Sequence, residues 1–354
     1  MSEGAKKFVT PLLFETLTGE PVLHAGNERW DSEVNHIGYA RWADLYIVAP
    51  ATANTLNKAA SGIADTLPLQ VYLATTAPVL FAPAANTKMF LHPATQRSLA
   101  RLNYISPGVG ELACGEVGAG RLADPVDIYW RGLRELSRQK VWKGRKVVVT
   151  AGGSREPIDD VRCITNFSSG KMGEALAKSF YLAGAEVVLI SSASHPALPS
   201  EIKLVKVERA EQFLEKIVWE GPDLLVMAAA IADYRPSYTP GKLKKEEVGE
   251  ELTLTLRKNI DILESLKPFD FIKVGFKAEV EQGKGEERAR RALERKGLDA
   301  ICLNYISEHY FGSDRNRVIL ITPTDKKEIP TGSKLEVAQK IVGELESLVA
   351  QRWG

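Results

Sequence analysis

Three groups of residues in this 354-residue sequence have types and spacings that suit chemistry. The first is Thr150 to Gly173, TAGGSREPIDDVRCITNFSSGKMG. In it Arg155, Arg162 and Asn166 can hold a carboxylate or a phosphate by charge-assisted hydrogen bonds. Gly152 and Gly153 permit a sharp turn directly after an apolar run, and Ser168-Ser169-Gly170 precede a helical pattern. The first turn of such a helix has unpaired N–H groups and a positive dipole end, a setting that attracts phosphate. The run is neither a G-x-G-x-x-G nor a P-loop. Its composition alone also fits an ordinary βα connection, but those usually run about 2–6 residues, and one near twenty is usually functional.

The second group follows the apolar run Leu224 to Ala228: Ala229-Ala230-Ile231-Ala232-Asp233-Tyr234-Arg235, then Lys242-Leu243-Lys244-Lys245. Small residues let a nucleotide approach the backbone, Asp233 can accept from a base or ribose or hold a metal, and lysines can meet a triphosphate. The bland alternative for the lysines is a solvated loop. The third group lies in the first half: Asn35-His36, Pro50 to Thr55, Pro83 to Met89, and Ala113-Cys114-Gly115-Glu116-Val117-Gly118-Ala119-Gly120-Arg121. Thr and Asn side chains there offer donors and acceptors to a planar ligand, though they also suit helix caps. Histidine titrates near neutrality and can serve as a base, and flanking glycines would leave Cys114 mobile enough to enter and leave a site.

The elements that must position these residues alternate between strand-like and helical runs, the pattern of α/β folds. Strands are expected at Leu45 to Ala49 and Val79 to Ala82 in the first half. In the second they are expected at Lys146 to Thr150, Val187 to Ser191, Leu224 to Ala228, Ile272 to Phe276 and Ala300 to Leu303. Helices include Ile128 to Leu136, Leu176 to Ala183, Glu211 to Trp219 and Glu286 to Lys296. Leu252 to Leu256 and Val318 to Thr322 are expected to add an antiparallel extension. The reading is two mainly parallel α/β domains, residues 1–143 flavodoxin-like or Rossmann-like and residues 144–354 Rossmann-like, joined at the basic connector Ser137 to Gly144. Ligands in such sheets sit at the carboxyl ends of the strands, where all three groups fall.

The run AGGSREPIDDVRCITNFSSGKMG resembles the start of the ligase domain of the bifunctional phosphopantothenoylcysteine decarboxylase/phosphopantothenate–cysteine ligase family of coenzyme A biosynthesis. In the first half, HI…ADL, APATANT, PAxN and ACGxxGxGR resemble its flavin-dependent decarboxylase domain. The resemblance implies FMN bound with Thr52 and Asn54, His36 as base, Asn86 on the substrate carboxylate and Cys114 as proton donor. It implies a ligase in which CTP, with Mg2+ or Mn2+, activates 4'-phosphopantothenate as an acyl cytidylate before cysteine attacks. Ala229, Asp233, Lys242, Phe276 and Lys296 would then contact CTP, Asn166 the acyl intermediate and Arg162 its phosphate, with Lys242 also catalytic. Phe311-Gly312-Ser313-Asp314 with Asn316 also resembles the family, as a loop at the dimer or active site, whereas the metal ligands are not implied. Dimers of the second half and trimers of the first, building a dodecamer, would be the assembly.

Departures from the family pattern are Ala85 for Met, Leu122 for Met, Ile260 for Pro and Ala292 for Lys. The chain also opens at what resembles the family's MTxxAxxF segment, roughly 30–40 residues into the pattern, one βα unit. A sheet edge left unpaired and an incomplete flavin-phosphate pocket are the expected consequences, so that either the true start lies upstream or this half has lost FMN. The alternatives are a ligase whose first half is an inactive scaffold, and a non-catalytic regulatory flavoprotein subunit. Net charge of +1 gives no electrostatic case for nucleic acid or an anionic membrane. Cys114, Cys163 and Cys302 lack disulfide or zinc spacing, which fits a cytoplasmic protein. No run has the apolar length of a membrane span.

Overall fold

The computed structural model describes residues 1–354 except 32–34, 114, 138–139, 245, 247–248, 281–282, 307–311 and 354, with the side chains of 140 and 351 also outside the description. Cys114, Lys245 and Phe311 therefore lie outside the described residues. The chain forms two compact units, Met1–Leu136 and Ser137–Gly354. The connector belongs to the second unit rather than the first: Trp142 is fully buried there and meets Phe180 and Trp353 edge-on.

In the first unit the described elements run α1 (Pro11–Thr18), α2 (His36–Trp42), β1 (Tyr46–Ala51), α3 (Ala53–Ala60), α4 (Leu67–Ala74), β2 (Val79–Pro83), α5 (Thr87–Leu91), α6 (Pro93–Leu99), β3 (Gly108–Glu111), β4 (Val117–Arg121) and α7 (Pro125–Ser137). β1 and β2 pair in parallel, and Phe81 bridges onward to Tyr104. Among the described residues no strand covers the other edge of β1. Leu56, Leu69, Phe81, Phe90 and Leu99 form the core beside this small sheet. Antiparallel β3 and β4 make a separate hairpin.

The second unit is larger. Its described strands are β5 (Lys146–Ala151), β6 (Arg155–Pro157), β7 (Cys163–Thr165), β8 (Glu186–Ser191), β9 (Lys203–Lys206), β10 (Leu224–Met227), β11 (Tyr234–Pro236), β12 (Leu256–Lys258), β13 (Ile272–Glu279), β14 (Ala300–Tyr305), β15 (Arg315–Ile321) and β16 (Lys326–Ser333). Its described helices are α8 (Lys171–Leu182), α9 (Ala210–Glu220), α10 (Ile262–Ser265), α11 (Gly285–Lys296) and α12 (Lys334–Trp353). An eight-stranded sheet has the order β16-β15-β14-β13-β10-β5-β8-β9, parallel from β14 to β9 and antiparallel at β15 and β16. Val148, Val188, Ile190 and Leu225 face one core with Phe213, Ile217, Ile262 and Leu293 from α9, α10 and α11. Strand alternation sends Val147 and Val149 to the other face, where α8 lies on β5 and β8 and α12 on β15 and β16. Helices thus cover both faces, the condition under which parallel strands read as continuous apolar runs.

The antiparallel extension differs from expectation. Of Leu252 to Leu256 only the last residue enters a strand, and β12 pairs with β11 as a separate ribbon. Its alternating Leu-Thr sequence leaves Leu252 and Leu256 exposed, which suits a surface ribbon and not a buried strand. β15 is where Val318 to Thr322 places it, but it continues into β16, whose polar sequence KKEIPTGS hides an edge strand. Pro330 sits where the β15–β16 register shifts, a place in which a missing N–H costs no ladder bond. The long Thr150–Gly173 connection contains the β6–β7 hairpin and so is an ordered structure in its own right.

Candidate functional site

The strand order reverses between β5 and β10: the chain moves outward from β5 to β8 and β9, then returns to the far side of β5 as β10. That point opens a crevice at the carboxyl ends of the strands, the usual ligand position in such folds. Two connections meet there. Ala230 N–H donates to the Gly152 carbonyl at 2.8 Å and Ser154 N–H to the Ala230 carbonyl at 3.1 Å, a parallel bridge beyond the ends of both strands. Thr150 Oγ1 accepts from Ala229 N–H at 3.1 Å and Ser154 Oγ from Ala232 N–H at 3.0 Å. Gly152, at φ +82°, leaves no room for a side chain, since a Cβ would fall 2.3 Å from Ser192 Oγ. At Gly173 a Cβ would fall 2.5 Å from Ala151 Cβ, so glycine lets α8 close on β5.

A cavity of about 170 Å3 opens beside this seam, lined by Ser168 to Gly173, Ala228 to Ala230, Phe276, Asn304, Arg315, Asn316 and Lys334. Two of the expected nucleotide contacts, Ala229 and Phe276, are therefore at one cavity with the first turn of α8. Asn166 joins them through its side-chain amide, which donates to the carbonyls of Ala230 at 3.3 Å and Ile231 at 3.1 Å.

The other candidates stand next to this group. Arg162 donates through Nε to the buried Asp159 at 3.0 Å, pairs with it again through Nη2, and reaches the Leu243 carbonyl at 2.9 Å. The guanidinium and neighbouring N–H groups hold the Asp159 carboxyl well below the usual carboxylate range. Leu243 N–H donates to Asp159 at 3.1 Å and Gly241 N–H to Asp160 at 3.0 Å. Asp159 and Asp160 thus anchor the backbone on either side of Lys242, whose side chain is exposed. Arg162 and Lys242 are brought together by two aspartates that the sequence reading passed over. The i, i+3 spacing of Asp159 and Arg162 was the available signal.

Asp233 is exposed at the start of the β11–β12 ribbon, and its carbonyl accepts from Asn259 N–H at 2.8 Å. Two residues on, Asp261 pairs with Lys296 Nζ at 2.8 Å. Asp233 and Lys296 are linked along this Lys258–Asp261 segment, and Ile260 in place of proline does not interrupt it. Asp233, Lys242, Lys296 and Arg162 do not line the cavity itself.

In the first unit His36 begins α2, with Asn35 Oδ1 capping the helix through Gly38 N–H at 2.9 Å. His36 Nδ1 lies 2.6 Å from Glu28 Oε1, and the Trp30 ring meets it edge-on at 5.1 Å between centroids. The bond to His36 holds the Glu28 carboxyl below its usual value. A carboxylate on Nδ1 fixes that nitrogen as the donor and leaves Nε2 as the basic one. Glu28 was not read from the sequence.

Asn86 caps α5 by accepting from Lys88 N–H at 2.9 Å, and its amide donates to Glu116 Oε2 at 2.8 Å. Glu116 lies on the connection between β3 and β4, the one that contains residue 114. Two of its neighbouring glycines have a packing reason. A Cβ on Gly120 would lie 2.2 Å from the Ala85 carbonyl oxygen, and one on Gly118 would lie 2.3 Å from Thr87 Oγ1. Only bare backbone lets the hairpin close on the Asn86 loop. Thr52 and Asn54 are exposed at the first turn of α3, at the carboxyl end of β1, with Thr52 Oγ1 accepting from Thr55 N–H at 3.3 Å.

The chain therefore joins a flavodoxin-like unit, with polar residues at its strand ends, to a Rossmann-type unit with a cavity at its switch point. Residues 1–131 match the Flavoprotein family, and residues 142–348 match the DNA/pantothenate metabolism flavoprotein C-terminal domain. The coenzyme A biosynthesis bifunctional protein CoaBC of Bacillus subtilis is 40% identical over 99% of this chain and 90% of its own length. That of Vibrio vulnificus is 36% identical over the same shares. A cysteine/cysteine sulfinic acid decarboxylase from an unknown prokaryotic organism is 38% identical over 96% of this chain and 99% of its own. The crystal structure of the C-terminal domain of a CoaBC protein, 32% identical, superposes on 60% of this chain and all of its own with a TM-score of 0.51. This chain belongs to the CoaBC family of bifunctional coenzyme A biosynthesis enzymes. Among the described residues no helix is long and apolar enough to cross a membrane, and no cluster of three metal-ligating side chains is present.

Proposed function

We propose that the second unit ligates 4'-phosphopantothenate to cysteine at the expense of CTP, and that the first unit decarboxylates the product with FMN. The observation that carries the ligase reading is the cavity at the β5–β10 switch point, where Ala229 and Phe276 meet the first turn of α8 and Asn166 is fixed against Ala230 and Ile231. In the first half-reaction the carboxylate oxygen of the acid attacks the α-phosphorus of CTP. The bond to the β-phosphate oxygen breaks and diphosphate leaves. In the second the amine of cysteine attacks the acyl carbon, CMP leaves and the amine gives up a proton. Asn166 holds the acyl group with an amide that cannot compete as a nucleophile. Lys242, on its anchored turn, supplies positive charge to the departing phosphate oxygens. Asp233 and Lys296 contact CTP along the Lys258–Asp261 segment, and Arg162 positions the Lys242 turn besides serving the substrate phosphate.

In the first unit Thr52, Asn54 and the small residues Ala51 and Ala53 fit a flavin, since they put hydroxyl and amide groups at a strand end without bulk. FMN, when bound, would take two electrons from the substrate thiol and return them to the enethiol left after carbon dioxide is lost. His36, oriented by Glu28, accepts a proton at Nε2, Asn86 binds the substrate carboxylate, and Cys114 returns a proton. The chain acts in the cytoplasm as a homo-oligomer. The test is retention of a flavin absorption band after excess FMN is added and removed, together with diphosphate release assayed in the same sample. A retained band and release that needs both CTP and 4'-phosphopantothenate support the reading. A colourless protein removes the decarboxylase half, and absence of release removes the ligase half.

A further inference from the structure

A buried hydrogen-bonded chain in the second unit has no part in the chemistry proposed above. His195, its side chain fully buried, presents Nδ1 to Glu174 Oε2 at 2.8 Å and Nε2 to Ser191 Oγ at 2.8 Å. Serine, histidine and carboxylate in that order have the connectivity of a nucleophilic triad. Burial excludes that use. Ser191 is 1% exposed, and its oxygen accepts from Ala193 N–H at 3.0 Å and faces the Ala151 carbonyl at 3.1 Å. The chain instead joins three segments: Ala151 ends β5, Ser191 ends β8 and Glu174 lies in the first turn of α8. That turn begins at Gly170 and has no side-chain cap. The His195 ring packs against Gly170, where a Cβ would fall 3.1 Å from its Cε1 and 2.8 Å from Ala193 Cβ. Glu174 Oε1 is taken by Lys178 at 2.6 Å on the same helix, which leaves Oε2 for His195. The turn is also tied through Lys171 to Asp314, but that pair is exposed on both sides, and exposed pairs contribute little.

We propose that His195 is a positioning residue of the ligase unit: through Glu174 and Ser191 it fixes the first turn of α8 against the ends of β5 and β8, and so sets the shape of the switch-point cavity for CTP. The inference rests on the ligase reading above for its ligand. None of Ser191, His195 and Glu174 lines the cavity; they act through Gly170 and Gly173, which do. Gly173 closes on Ala151 and Gly170 rests on His195, so releasing the link lets the turn move relative to Ala228 to Ala230 across the cavity. The link needs a hydrogen-bonding group at position 174 and not a charge. A glutamine oxygen there can accept from Nδ1–H. If the glutamine N–H faces Nδ1 instead, the ring carries its hydrogen on Nε2, Ser191 Oγ accepts it, and the serine hydrogen goes to the Ala151 carbonyl.

The experiment measures kcat, KM for CTP and KM for cysteine from diphosphate and CMP release, on the full chain and on Glu174→Ala, Glu174→Gln and His195→Leu. Loss of a buried hydrogen bond to a charged group should raise KM for CTP by about tenfold in Glu174→Ala and in His195→Leu, with KM for cysteine unmoved. Glu174→Gln should recover most of that loss. A role confined to folding would lower the active fraction, so that kcat falls at unchanged KM, and that result in Glu174→Ala overturns the proposal. An equal rise of KM for CTP in Glu174→Gln overturns it too, because charge and not the link would then be the cause. Should His195→Leu fail to fold, the two Glu174 variants decide. No diphosphate release from CTP by the parent chain overturns the ligase reading and this inference together, whereas an active parent with KM for CTP unmoved in Glu174→Ala overturns the inference alone.

Discussion

Replacing Gly120 by alanine tests whether the β3–β4 hairpin must close on the Asn86 loop for the first unit to work. Gly120 has φ +133°, and a Cβ there would stand 2.2 Å from the carbonyl oxygen of Ala85. That oxygen belongs to backbone and cannot swing aside as a side-chain tip would. The Gly120 carbonyl also accepts from Ala85 N–H at 2.9 Å, so a shift that relieves the clash lengthens this bond. Overpacking costs about 1–3 kcal/mol and a disfavoured backbone region about 1–3 kcal/mol more, so about 2–6 kcal/mol is expected. Gly62→Ala is the control, because Gly62 has φ +71° and nothing within 4 Å of its Cβ position; it isolates the backbone cost. Both variants should be followed by denaturant unfolding and by separate assays of decarboxylation and ligation. Gly120→Ala should lose decarboxylation, keep ligation, and unfold more easily than Gly62→Ala. Equal destabilisation of the two variants with decarboxylation retained would refute the reasoning.

Four other outcomes follow from the same geometry. Glu28→Gln removes the carboxylate that sets the His36 tautomer, so decarboxylation should fall while ligation, measured on the same sample, does not. Asn166→Asp turns a donor that serves two carbonyls into an acceptor facing them, and ligation should drop by about tenfold or more in kcat/KM. Glu174 bonds His195 Nδ1 at 2.8 Å and Lys178 Nζ at 2.6 Å, and its pKa is held down to about 2 from an ordinary value of 4.5. The bond to His195 is the largest cause. A depressed carboxylate stabilises the fold above the unfolded value and loses that contribution as pH falls through the folded one, so Glu174→Gln should flatten the acid limb of stability between pH 4.5 and about 2. Cys163 is exposed whereas Cys302 is fully buried with its thiol pKa pushed up, so mass mapping after a thiol reagent should find Cys163 labelled and Cys302 labelled only on unfolding.

Much of the parallel sheet was legible because its strands are buried on both faces. Val147 to Val149 and Leu224 to Val226 announce themselves as apolar runs, and the long connection after β5 marks the site by its length. β16 was not legible, since an edge strand of Lys, Glu, Pro and Thr has the composition of a loop and its pairing with β15 is decided by tertiary contact. The site residues divide in the same way. Ala229, Phe276 and Asn166 were named because the motifs that hold them resemble the family's. Lys334 and Arg315 come from distant segments that the sheet order alone brings to the cavity, and Glu28 and Asp159 act through partners whose proximity needs the fold.

The most direct test of the central claim is a single incubation of the purified chain with FMN, CTP, Mg2+, 4'-phosphopantothenate and cysteine, followed by mass spectrometry of the products over time. The account predicts CMP and diphosphate in equal amounts with the cysteine conjugate, then conversion of the conjugate to its decarboxylated thiol. CTP left intact in the presence of both substrates would contradict it.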